Sequence, residues 1–198
     1  MTDAENLLNF YWHKPIDRMP MEGAGEIKCT PNGIIERPFN SGPGVDWFGV
    51  TWEGGELAGA AAPKIGDYVL DDISDWRDVV KFPDLDAWDW VKAVETDNVA
   101  NWDRKSNIVT ITILNGPWER MNQLMGFENA LCAFIEDPEE THAFLEAMCE
   151  YKCKLVDYIA KWYKPDVIMC HDDWGAQNGP FFSPETWREF IKPVTKRI

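Results

Sequence analysis

The apolar run Val167–Cys170 passes directly into His171, Asp172, Asp173 and Trp174. Carboxylates are costly to place in poorly solvated surroundings unless something pairs with them. Two adjacent acids at the end of a strand therefore call for a reason. In parallel α/β folds, ligands bind at the C-terminal ends of strands. One of the two carboxylates can face such a pocket while its neighbour anchors the loop or caps a backbone. A carboxylate in that place can bind a cation, hold a hydroxyl or amine, or exchange a proton. The competing structural account is a loop-stabilising acid plus a helix cap, with His171 a satisfied core residue.

A second group, Asn115-Gly116-Pro117-Trp118, closes another β-branched run and is followed by Asn122 and Gln123. It also stands at a strand end, so Asn115 and Gln123 could share a pocket with Asp173. Gly116 permits close backbone approach and Pro117 fixes the turn. A plain strand-to-helix turn explains the same residues. Cys149 and Cys153 fall on one helix face, but nothing nearby completes a set of about four zinc ligands. Buried thiols are the simpler account, and no metal set is assigned from spacing. Neither a phosphate loop, nor Gly-x-Gly-x-x-Gly, nor Gly-x-Ser-x-Gly occurs.

These groups need elements to hold them. Ala4 to His13 reads as a short helix and Arg18 to Glu22 as a short strand. Gly23 to Pro63 is rich in Gly, Pro and Asn, with a strand or hairpin arm expected over Val45 to Trp52. Asp84 or Asp86 is expected to cap a helix carrying Leu85, Trp88, Val91 and Trp102. The run Ile108 to Leu114 suits a strand covered on both faces. A helix is expected from Trp118 to Phe134, with Gly126 its weak point. Asp137-Pro138-Glu139-Glu140 is a start signal: a cap, a proline at the first helical position, and acids at the positive dipole end. The long amphipathic helix that follows ends at Pro165, with Lys161 and Lys164 at its negative end. A strand then leads into His171, and a last helix begins at Ser183-Pro184. This order indicates parallel strands with helical crossovers, an α/β fold. Residues 1–65 are expected to be a loop-rich segment and 66–198 a run of βα units in one domain.

Composition narrows the function. The chain has 198 residues, 34 acids against 19 bases and a formal charge of −15. Such a charge argues against nucleic acid and anionic membranes as partners. Five cysteines without a framework and no visible signal or membrane segment point to reduced thiols and a cytoplasmic protein. The eleven tryptophans are read as packing residues, with an aromatic ligand pocket as the alternative.

The sequence resembles the uroporphyrinogen decarboxylase superfamily. The matching pieces are Gly116-Pro117-Trp118, Gly126-Phe-Glu-Asn129, the Asp137-Pro-Glu helix, Asp166-Val-Ile, Asp172-Asp-Trp-Gly175 and Phe182-Ser-Pro-Glu-Thr-Trp-Arg-Glu-Phe-Ile-Lys-Pro193. Asp46-Trp-Phe-Gly-Val-Thr-Trp-Glu53 and Phe82-Pro-Asp-Leu-Asp86 are similar to its methyltransferase-like branch. The resemblance implies a (β/α)₈ TIM barrel with its site at the C-terminal face. Members run to roughly twice this length, in line with a full barrel, so a half barrel is expected here, ending after the fourth strand.

Carried over residue by residue, the resemblance counts against porphyrin. The arginine-rich motif that grips porphyrin carboxylates is expected at Met19 to Glu26, which carries no arginine. The decarboxylase tyrosine falls at Gln123 and its substrate-contacting serine at Asp173. The methyltransferase branch moves methyl groups from methoxylated or methylamine-type compounds to corrinoid proteins. Asp173 and Gln123 would then line the substrate pocket, with Asp172, His171 and Asn115 supporting it and no catalytic residue assigned. The resemblance leaves zinc and a corrinoid partner open for the full-length protein, with no cofactor expected on this chain alone and a corrinoid protein an open partner. The alternatives are an inert or partner-completed half barrel, associating through open strand edges, and a true uroporphyrinogen decarboxylase of porphyrin biosynthesis.

Overall fold

The structure, a computed structural model, describes residues 1–38, 43–54 and 61–198. Parts of the expected loop-rich segment, 39–42 and 55–60, lie outside the described residues. The elements run α1 (Asp3–Tyr11), β1 (Glu26–Cys29), β2 (Gly44–Val45), β3 (Thr51–Glu53), β4 (Ala62–Pro63), α2 (Trp76–Val79), α3 (Trp90–Thr96) and β5 (Ile108–Ile113). Then come α4 (Pro117–Met125), α5 (Phe127–Glu136), α6 (Pro138–Tyr163), β6 (Val167–Cys170), β7 (Gly175–Ala176), β8 (Gly179–Pro180), α7 (Pro184–Thr186), a π-helical turn (Trp187–Ile191) and α8 (Lys192–Arg197). The chain divides into two compact units. No helix among the described residues is long and apolar enough to cross a membrane.

The first unit comprises Met1–Ile34, Asp89–Ile113 and Asp157–Met169. Its sheet has the order β1-β5-β6, with β1 and β5 parallel in the register Glu26 to Ile108. Five of the six residues of β5 are buried, as its β-branched run predicts for a strand covered on both faces. Asp166 secures one end by accepting from the Val109 amide at 2.8 Å. Among the described residues no closed barrel is formed: this sheet has three strands, and the other two are a separate antiparallel set and a two-stranded hairpin.

Local chemistry explains where elements depart from expectation. The first sheet strand is Glu26–Cys29, not Arg18 to Glu22. Gly25 leads into it at φ 72°, and a Cβ there would meet the Ala4 amide nitrogen at 2.4 Å. Asp84 does not cap a helix. Its side chain accepts from the Asp86 and Ala87 amides instead, a local turn that competes with helix. The helix starts at Trp90 under an Asp89 cap, and Trp102 falls outside it. The C-terminal carbonyls of α6, on Tyr163 and Lys164, are taken by the Arg104 guanidinium.

The second unit comprises Ile35–Trp88, Leu114–Val156 and Cys170–Ile198. Here Val45 to Trp52 is not one strand but two, β2 and β3, paired antiparallel around a turn. The expected helix from Trp118 to Phe134 is broken at Gly126, whose φ of 85° and ψ of 152° lie where only glycine sits without strain. Asp137 caps α6 as predicted, accepting from the Glu140 amide at 3.1 Å. The last helix is not regular: the Lys192 amide reaches back five residues to the Trp187 carbonyl. Pro193 accounts for this, because it has no N–H and its ring crowds the carbonyl four residues earlier.

Candidate functional site

The residues singled out from sequence fall in the second unit and separate into two groups. The first surrounds the end of β6. The Gly116 amide donates to the His171 carbonyl at 2.8 Å, which brings the start of α4 against His171. An ideal Cβ on Gly116 would lie 2.3 Å from the Asp172 Cβ, so only glycine allows this approach. Asp172 uses it to cap α4. Its Oδ1 accepts from the Glu119 amide at 2.8 Å and its Oδ2 from the Trp118 amide at 3.3 Å. Trp174 Nε1 also donates to Oδ2, at 2.9 Å. Burial pushes the Asp172 carboxyl up to about 6, against the lowering effect of these hydrogen bonds, and the neighbouring Glu119 charge adds to the rise. Asp172 is therefore the anchoring member of the acid pair.

Asp173 is the outward member, 67% exposed. His171 sits between two carboxylates: Nδ1 is 3.0 Å from Glu119 Oε2 and Nε2 is 3.5 Å from Asp173 Oδ1. Glu119 was not visible as a site residue from the sequence. The available signal was its place in the first turn of a helix that starts at a strand end. Arg37 is electrostatically coupled to both Glu119 and Asp173, which oppose the downward push that burial exerts on its guanidinium. Its Nη2 is committed to the Ala61 carbonyl at 2.5 Å, and its guanidinium lies over the Trp52 ring.

The second group is buried. Asn115, at φ 56°, donates to the Glu36 carbonyl at 2.5 Å and accepts from Gln123 Nε2 at 2.8 Å. The hydrogen bonds of Gln123 and Asn115 thus run to each other and to Glu36, and not to His171 or Asp173. Gln123 Oε1 has no partner among the described residues. Around Glu36 lies a charge-balanced cluster of two acids and two bases, none more than 6% exposed. Lys152 Nζ donates to Glu36 at 2.7 Å and to the Leu114 carbonyl at 3.0 Å. Tyr151 donates its hydroxyl to Glu36 at 2.6 Å. Arg120 bridges Asp46 at 2.5 Å and Glu36 at 3.2 Å. Burial pushes the Glu36 carboxyl up, but Lys152 and Arg120 outweigh it and hold the group below its usual range. Asp46 also gathers the Phe48 and Val50 amides and Trp52 Nε1, which ties the turn between β2 and β3 to Arg120. The sequence reading missed this cluster, although Lys152 falls on the face of α6 that carries the buried Met148, Leu155 and Ile159.

Beyond Trp174 an apolar groove of about 460 Å³ is lined by Trp174, Pro180, Phe182 and Trp187 among others. The cysteines do not offer a soft metal site. Cys149 and Cys153 lie on one face, but their thiols point to the carbonyls of Val194 and Arg197. Burial pushes Cys149 up to about 12, away from the thiolate that zinc requires. The sequence also contains no His-x-Cys pair. The thiol-zinc site implied by the methyltransferase resemblance therefore does not fit the residues of this chain.

The profile of the uroporphyrinogen decarboxylase (URO-D) family matches residues 48–198, more than half of the chain. The chain belongs to this family. No curated protein and no solved structure matches it. The matched region of this URO-D family chain holds β5, β6, Glu119 and the His171 to Trp174 mouth. Glu36 and Arg37 precede it.

Proposed function

We propose that this chain supplies part of the substrate site of a methyltransferase-like URO-D protein, one that moves a methyl group from a small methoxylated or methylamine-type compound to a corrinoid protein. The supporting observation is the mouth of β6. There Glu119 and Asp173 face His171, and among the described residues no lysine or arginine lies within ion-pair distance of either carboxylate, Arg37 acting on them only from farther off. An octa-carboxylate porphyrinogen would meet repulsion at that wall. Asp173 takes the outward position and Asp172 fixes the loop to α4, while Gln123 and Asn115 bond into the buried Glu36 cluster.

The decarboxylase reading keeps one observation in its favour. With β1 at Glu26–Cys29, the loop that follows it carries Arg37, a half-buried guanidinium near the same mouth. The two readings separate in one experiment. The protein is incubated with cob(I)alamin and a panel of methoxylated aromatics and methylamines, and methylcobalamin is followed by absorbance. A parallel sample receives uroporphyrinogen. Methyl transfer from at least one compound, without decarboxylation, is expected. Decarboxylation of uroporphyrinogen with no methyl transfer overturns the proposal.

A further inference from the structure

We infer that Glu119, His171 and Asp173 form a binding site for a first-row divalent cation, distinct in ligands from any thiol site. One carboxylate oxygen from each acid and one imidazole nitrogen lie within 4.8 Å of one another. Three such donors are the protein-ligand number of a catalytic-type metal centre. Oxygen and imidazole donors without sulfur select Mn²⁺ or Zn²⁺ over soft metals.

Three features separate this set from a solvated acidic patch. First, the donors come from two segments 52 positions apart, Glu119 on α4 and His171 after β6, and they are brought together by specific devices. The Gly116 amide holds the His171 carbonyl, and Asp172 binds the Glu119 amide. The cap thus serves as an outer-shell support, of the kind that orients metal ligands. Second, Glu119 is only 12% exposed, so its position is set by packing. Third, the one ion-pair partner of the two carboxylates among the described residues is His171, and Arg37, which acts on both through its charge, turns its Nη2 to the Ala61 carbonyl and its face to Trp52.

The test reads binding alone, so its outcome is separate from the methyltransferase reading, although a cation held there would offset the repulsion that the two carboxylates present in the metal-free protein. The three histidines provide an internal comparison: His13, His142, which faces the single carboxylate of Glu189 at 3.7 Å, and His171. Mn²⁺ is titrated into metal-free protein while the histidine ring protons are followed by NMR. The His171 signals are expected to broaden at Mn²⁺ levels at least ten-fold below those that affect His142 or His13. The selective broadening should disappear in E119Q, which leaves the histidine in place as reporter. It should persist in E128Q and in C170S. Simultaneous broadening of all three histidines, or selective broadening that survives E119Q, overturns the site. Loss in C170S assigns the metal to a thiolate and overturns it as well.

Discussion

Asp172 is held by opposing forces. Burial and the nearby Glu119 charge favour its neutral form, while two helix amides and an indole N–H favour its carboxylate. The balance is a carboxyl raised from an ordinary value of 3.8 to about 6. An acid raised on folding binds its proton more tightly in the native state, so its contribution to stability is complete below its unfolded value. That contribution is then lost as pH rises from about 4 to about 6. Asp172→Asn removes the titration, so the stability of the wild type relative to D172N is expected to fall across this window and to level off above it. Asp172→Ala removes the cap as well and should cost about 1 kcal/mol more at every pH. Urea unfolding at a series of pH values measures both. A difference between wild type and D172N that does not change with pH would show that Asp172 titrates normally.

Elements were legible where one local signal dominated and illegible where two competed. Asp137-Pro138 defined the start of α6, and the run Ile108 to Ile113 defined β5. At Gly126 the apolar spacing continues through the break, so periodicity alone suggests one helix. Glycine lets the chain break there, because it takes φ 85° without strain and leaves room for the Tyr68 ring, which a Cβ would approach to 2.7 Å. Gly126→Ala therefore meets both strain and a clash. It is expected to destabilise the protein by about 1–3 kcal/mol, the range for a residue forced into such a backbone region. Gly66, also at positive φ but with nothing within 4 Å of a Cβ, serves as a comparison free of any clash. If chemical denaturation finds G126A no worse than G66A, the packing against Tyr68 contributes nothing and the break is purely conformational.

At the scale of the whole molecule, the sequence singled out a candidate segment without showing what surrounds it. The mouth at His171 to Trp174 was visible because acids end an apolar run, and the division of labour between Asp172 and Asp173 matches that reading. Glu119, Arg37 and the Glu36 cluster were not visible, because each depends on residues far apart in the chain. The sheet β1-β5-β6 has a further consequence. Among the described residues β1 and β6 each pair on one side only, and an unpaired strand edge is a template for another chain. Met169 on β6 is 49% exposed, which makes that edge apolar as well. Against association stands a formal charge of −15, whose repulsion reaches about 30 Å at 0.01 M salt and about 8 Å at 0.15 M. Salt is therefore expected to promote self-association, the reverse of what an interface held by ion pairs would do. Sedimentation velocity over a concentration series at those two salt levels should show a larger mean mass at the higher one. Met169→Lys places a charge on the edge and should return the protein toward monomer without altering its unfolding free energy by more than about 0.5 kcal/mol. A mass that stays monomeric at all concentrations and both salt levels would mean that the edges are protected within the chain itself. An association unchanged by M169K would move the interface away from β6.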